Sequence, residues 1–174
     1  VGIEIPNRTV STIGLATILS DKQFTESVKP LTIALGEGVS GKFHYTDLAK
    51  APHMLIAGAT GSGKSVTIHN VILSLLYRNG PERVRIILVD PKRVELTLYN
   101  DIPHLLTPVI KDAKKAIMAL RWAAKEMDRR YGVLEDCKVR DIDSYHKTVV
   151  EPAKKKAKEG AELPEAMPYI VIVI

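Results

Sequence analysis

The segment Gly58-Ala59-Thr60-Gly61-Ser62-Gly63-Lys64-Ser65 carries the spacing G-x-x-x-x-G-K-S. Those residue types in that order suit a triphosphate. Glycines let the backbone turn tightly, with positive φ where needed, so that successive N–H groups point at an anion. Lys64 brings a compact positive charge to the β- and γ-phosphates, and the Ser65 hydroxyl offers a ligand to Mg²⁺. The helix that follows, entered through Val66, aims its positive dipole end at the same phosphates. The expected binding residues therefore run from Gly58 to Val66, with Lys64 as the expected catalytic cation.

The flanks have the order such a loop requires. Met54-Leu55-Ile56-Ala57 is a short apolar run, expected as a buried strand entering the loop. Beyond Ser65, the residues Val66, Ile68, Val71, Ile72, Leu75 and Leu76 recur at near-helical spacing, and Asn79-Gly80-Pro81 stops the run. Strand, glycine loop and helix follow one another.

Composition sets the wider bounds. The chain has 174 residues, of which 45% are hydrophobic and 26% charged, ordinary values for a soluble domain with a sizeable core. No apolar run approaches the length needed to span a bilayer, so no membrane contact is expected of this segment. A single cysteine, Cys137, rules out an internal disulfide and a cysteine-rich zinc site, which fits a reducing cytoplasm. The net charge of +5 is compatible with a polyanionic partner without requiring one.

Two regions differ in pattern. Residues 1–50 read as a small β-rich subdomain. Within it, Leu31–Gly36 and Lys42–Thr46 form a hairpin about a turn at Glu37–Gly41, and Gly2–Ser20 is extended and loop-rich. Residues 51–174 alternate strand and helix, the pattern of an α/β parallel sheet covered on both faces. Val84–Asp90 is a second central strand ending in an acid. Lys111–Leu134 is a helix with Asp112 as N-cap. Its apolar stripe is Ala113, Ile117, Leu120, Ala124, Met127, Tyr131 and Leu134. A further helix spans Asp141 to about Ala157, and a Gly/Pro/Glu linker then leads to Pro168.

Tyr169–Ile174 is a buried-strand sequence. A P-loop enzyme needs a second acidic strand end to organise Mg²⁺ and the attacking water. That acid is expected immediately after Ile174, which makes the sequence the N-terminal piece of a larger motor domain. Asp90 also closes a hydrophobic strand and is the alternative acid.

The runs HMLIAGATGSGKSVTIHNVILSLLY, RIILVDPKRVELTLYNDIPHLLTPVIKDAKKAIMALRWAAKEMDRRY and PYIVIVI resemble the motor domain of FtsK/SpoIIIE-type DNA translocases. The resemblance covers residues 28–174, and Gly2–Asn7 also looks like the approach to that domain. It implies a RecA-like P-loop ATPase core, ATP and Mg²⁺, and a homo-oligomer in the form of a hexameric ring around double-stranded DNA. It also implies a cytoplasmic motor whose parent protein is anchored in the cell membrane, acting in chromosome segregation and cell division. Lys64 and Ser65 match the family's phosphate and Mg²⁺ positions. Asp90, Pro91 and Lys92 match its DPK signature, acting near the γ-phosphate or at a subunit interface, or else ending a strand in an ion pair. Arg129 and Arg130 match its RRY, with a solvated helix face the expected role of at least one. Residues that touch DNA or complete catalysis from a neighbouring subunit are expected beyond Ile174, so this segment alone is expected to hydrolyse hardly any ATP.

The remaining candidates have bland expectations. His53 and His104 lack metal-ligand spacing and read as structural histidines. Trp122 reads as core packing, Cys137 as an inert thiol and Lys154–Lys158 as a solvated charge run. A polypeptide-moving secretion ATPase of the same superfamily, and a nucleotide-gated assembly module without turnover, are the competing functions.

Overall fold

The computed structural model describes Ile5, residues 12–157 and residues 163–174. The expectations for Gly2–Asn7 and Lys158 lie outside the described residues, apart from Ile5. The chain divides into two compact units, Val1–Arg78 and Asn79–Ile174.

In the first unit, β1 (Thr32–Glu37) and β2 (Phe43–Asp47) form the expected antiparallel hairpin, with a register shift between Ala34 and Gly36. Gly41, at φ 75°, closes the turn and donates its amide to the Gly38 carbonyl at 2.9 Å. The stretch before the hairpin is not simply extended. It contains α1 (Leu15–Leu19) and α2 (Lys22–Thr25), the latter capped by the Asp21 carboxylate on the Gln23 amide at 2.8 Å. The reason is burial: Ile18, Leu19 and Phe24 point one apolar face at Ala34, Phe43 and Tyr45, and a helical turn groups them as an extended chain does not.

The helix after the glycine loop is α3 (Lys64–Arg78), as expected. Val71, Ile72, Ser74 and Leu75 form its buried face. The Ser74 hydroxyl accepts the Ala34 amide at 3.1 Å in the interior, satisfying a backbone donor beside the β1 irregularity. The hairpin and α3 thus share one core.

The second unit carries a parallel pair, β3 (Val84–Leu88) and β4 (Tyr169–Val173), with Val84 opposite Tyr169 and Leu88 opposite Val173. Single parallel bridges join Ile86 to Leu105 and Val89 to Ile110. Next comes α4 (Ala113–Asp136), N-capped as expected by Asp112, whose carboxylate accepts the Lys115 amide at 3.1 Å. A helical segment follows from α5 (Ile142–Tyr145) through a π-helical turn at His146–Val150 into α6 (Glu151–Lys156).

The face that α4 packs inward is not the apolar stripe read from spacing. Ile117 is 52%, Met127 52% and Tyr131 60% exposed. Ala116 and Ala119 instead lie against the cluster of Ile87, Val89 and Ile110. Towards its C-terminal end, Leu134 joins Tyr145, Val150 and Met167 in a second cluster.

Candidate functional site

The glycine loop has the backbone its sequence demands. Gly61 and Gly63 have φ of 78° and 90°, in the left-handed region. A Cβ at either would meet open space, so conformation and not crowding calls for glycine there. At Gly58 crowding matters: a Cβ would sit 3.3 Å from the Ser62 Cβ and run into its hydroxyl. The Ser62 amide donates to the Ala59 carbonyl at 3.1 Å, which folds the loop on itself. The Thr67 amide and hydroxyl both bond the Gly63 carbonyl, at 2.9 and 3.0 Å, and so fix the start of α3. Lys64 is half-buried in the first turn of that helix, with Ser65 and Val66 beside it.

This set fits a triphosphate with its divalent ion. Exposed Ala59, Thr60 and Gly61 leave the loop open to solvent, and the only formal charge in 58–66 is the Lys64 ammonium. The first turn of a helix, whose amides lack acceptors one turn back, completes an anion-binding end.

The expected strand at Met54–Ala57 is corrected. The segment makes no ladder, and Leu55 is 91% exposed. An apolar extended run becomes a strand only where an edge takes its hydrogen bonds. Among the described residues, the one ladder in its unit is the β1–β2 hairpin, which does not take it.

Asp90 stands in the second unit, just past β3, and is buried. The ion pair considered for it is absent among the described residues. Its carboxylate instead accepts the amides of Arg93 at 2.9 Å and of Glu95 and Leu96 at 3.0 Å. Its own amide donates to the Ile110 carbonyl at 2.8 Å. Burial pushes its pKa up, but the amides of Leu96, Glu95, Arg93 and Val94 together outweigh that and hold it below the ordinary carboxylate value. The carboxylate thereby shapes the Pro91–Leu96 loop. Arg93 takes a left-handed φ of 62°, and Pro91, Lys92 and Arg93 are exposed. The clue in sequence was Asp followed by Pro, a turn-forming pair.

Arg129 is exposed on the helix face, as expected of at least one of the two, while the Arg130 side chain is largely covered. Both bind Glu126: Arg129 through Nε and Nη2 at 2.7 and 2.8 Å, Arg130 through Nε at 2.7 Å. Arg129 also grips the Glu165 carboxylate at 2.8 and 2.9 Å, and Arg130 donates to the Pro168 carbonyl at 2.7 Å. The guanidinium of Arg129, with burial opposing and Arg130 assisting, draws the Glu126 pKa down to about 2. Sequence reasoning missed Glu126 altogether; its signal was the i, i+3 and i, i+4 spacing to two arginines.

His104 is an interior histidine whose Nε2–H donates to the Asn79 carbonyl at 2.7 Å and whose buried Nδ1 has no partner among the described residues, while His53 is exposed. Trp122 is not core. It is 43% exposed and, with Met118, Leu106 and Lys115, lines an open groove of about 640 Å³. Lys154–Lys156 are exposed, as expected. No group of three or more metal-ligating side chains occurs among the described residues.

Comparison with known proteins places these features in a lineage. The sequence model of the FtsK/SpoIIIE family matches residues 14–174. The chain is 51% identical over 174 residues to a Helicobacter pylori protein named DNA translocase FtsK, covering 100% of this chain and 19% of that protein. It is 47% identical over 174 residues to Bacillus subtilis DNA translocase SftA, covering 100% of this chain and 17% of that one. The chain thus spans about a fifth of the length of these curated relatives. Among solved structures, the pCW3 conjugation coupling protein TcpA, in its monomer form with ATPγS, superposes with a TM-score of 0.65 at 25% identity, over 87% of this chain and 37% of that one. The cytoplasmic domain of the Type VII secretion ATPase EccC from Thermomonospora curvata gives 0.66 at 24% identity, over 94% of this chain and 20% of that one, a likeness of fold alone.

Proposed function

The chain belongs to the FtsK/SpoIIIE family, and from that premise we propose that it is the nucleotide-binding part of an ATP-driven motor that moves double-stranded DNA. The supporting observation is the Gly58–Ser65 loop, with left-handed Gly61 and Gly63 feeding directly into α3 at Lys64. Gly58 to Val66 hold the phosphates, Lys64 carries the cation that stabilises the transferring γ-phosphate, and Ser65 ligates Mg²⁺. The ion supplies charge neutralisation at the phosphates. Asp90 contributes by holding the DPK loop in shape and presenting Lys92 outward. The whole protein acts as a homo-oligomeric, hexameric ring in chromosome segregation and cell division, its motor on the cytoplasmic side and its parent anchored in the cell membrane.

Phosphate contacts of such a motor are sequence-independent and weaken steeply with salt. The test is ATP turnover by the full-length protein with duplex DNA, with an unfolded polypeptide, and with neither. Stimulation by duplex of any sequence, lost on raising salt, is the expected result. Stimulation by polypeptide alone assigns a secretion motor instead, and nucleotide binding without turnover under any condition assigns an assembly module.

A further inference from the structure

The chain ahead of β4 is held by side chains on α4 and α5, and the bonds converge on a few residues. Arg130 spans Glu126 on one side and the Pro168 carbonyl on the other; its side chain is 12% exposed and that of Glu126 is 14%. Arg129 ties Glu165 to the same Glu126. The Tyr145 hydroxyl donates to the Glu165 carbonyl at 3.0 Å, and the Met167 amide donates to His146 Nε2 at 3.2 Å. Two residues after Met167 β4 begins, its Tyr169 amide on the Arg83 carbonyl at 2.9 Å.

We propose that Glu126, Arg129 and Arg130 are positioning residues: a clamp on Glu165–Pro168 that sets the register of β4 against β3. In a strand a slip of one residue turns every side chain to the opposite face. Here it would rotate Ile170 and Ile172 away from the Ile87, Val89 and Ile110 cluster they pack against. The slip would also displace the far end of β4, where Val173 lies opposite Leu88 and its carbonyl accepts the Val89 amide at 2.9 Å. Ligands of open parallel sheets bind outside the carboxyl ends of the strands. A clamp at the entry of β4 therefore governs the geometry of the sheet edge where Asp90 also stands. Its bearing on ATP hydrolysis rests on the function proposed above; its bearing on β4 does not.

The experiment pairs hydrogen exchange with kinetics in the full-length protein, comparing wild type, Arg130→Ala and Arg130→Lys. Exchange at the amides of Ile170–Val173 is expected to quicken by about tenfold or more in Arg130→Ala, while α3 amides stay within about twofold. ATP turnover is expected to fall about tenfold in kcat with KM within about twofold, the pattern of lost catalytic geometry and retained binding. Lysine reaches one of the two partners at a time, so Arg130→Lys is expected to lie between. Unchanged exchange over β4 in Arg130→Ala overturns the clamp. Quickened exchange with unchanged kcat overturns its bearing on hydrolysis. A wild type without turnover removes the motor reading and leaves exchange alone to decide the clamp. If Arg130→Ala does not fold, Arg129→Ala releases Glu165 and leaves the Arg130 bond to Pro168; it is expected to quicken β4 exchange less, and unchanged exchange there overturns the clamp.

Discussion

The Leu96 amide donates to the Asp90 carboxylate at 3.0 Å, a buried bond beneath a loop whose crest is exposed. With Arg93 and Glu95 donating to the same group, one side chain fixes the six-residue loop that follows β3. An acid at a strand end reads from sequence as chemistry. Here its bonds are those of a brace.

Asp90→Asn tests the brace. The amide side chain keeps one acceptor but turns an NH₂ towards a backbone N–H in the interior. Leaving a buried donor unmet costs about 1–3 kcal/mol. The urea midpoint should drop with an unchanged slope, the mark of lost stability and not of altered unfolding. An unchanged midpoint with lost turnover would assign Asp90 to the nucleotide instead.

The two acidic groups and one histidine give separable pH windows. Glu126 is drawn to about 2 from 4.5, and Asp90 also lies below its ordinary value. The unfolded chain takes up these protons first as pH falls. Their stabilisation is full above the ordinary carboxylate value and fades through the folded one. His146 is lowered chiefly by desolvation, and its Nε2 accepts the Met167 amide. Folding therefore favours its neutral form, and its contribution is full above 6.5 and fades as pH falls below that. Stability measured across pH should show an upper step removed by His146→Gln and a lower, acid step reduced by Glu126→Gln.

The loop glycines should differ in kind. Gly63→Ala places a side chain at φ 90°, where left-handed backbone costs roughly 1–2 kcal/mol even though space is open. Gly58→Ala meets Ser62, so Ser62→Gly should restore nucleotide affinity to Gly58→Ala and do nothing for Gly63→Ala. Equilibrium binding of a fluorescent ATP analogue to the four variants reads this directly.

The packed face of α4 makes a contrasting pair. Ala116→Leu drives extra methyl groups into the sheet contact and should cost about 1–3 kcal/mol. Met127→Ser, at a site 52% exposed, should change the stability of the 174-residue chain by no more than about 0.5 kcal/mol. Thermal denaturation of the two variants decides which stripe carries the packing.

That contrast marks the limit of what spacing reveals. The glycine loop, α3, the hairpin, β3, β4 and the extent of α4 were all legible, because each is written in local chemistry: turn residues, caps and period. Which stripe of α4 meets the sheet was not legible. Two stripes of a helix can both be apolar, and spacing alone does not say which of them meets the sheet. Met54–Ala57 misled for a related reason, since strand propensity needs an edge to pair with. The amides around Asp90 and the reach of Arg130 to Pro168 join residues by backbone groups, which carry no signature in side-chain identity.

In the proposed function the cradle from Gly58 to Ser65 holds a triphosphate whose hydrolysis Lys64 promotes. Its most direct test is steady-state ATP hydrolysis by the full-length protein and its Lys64→Ala variant, at saturating duplex DNA and matched salt. Duplex-stimulated turnover in the wild type, abolished in a variant with unchanged thermal stability, is the predicted result. Equal turnover by the two proteins would contradict it.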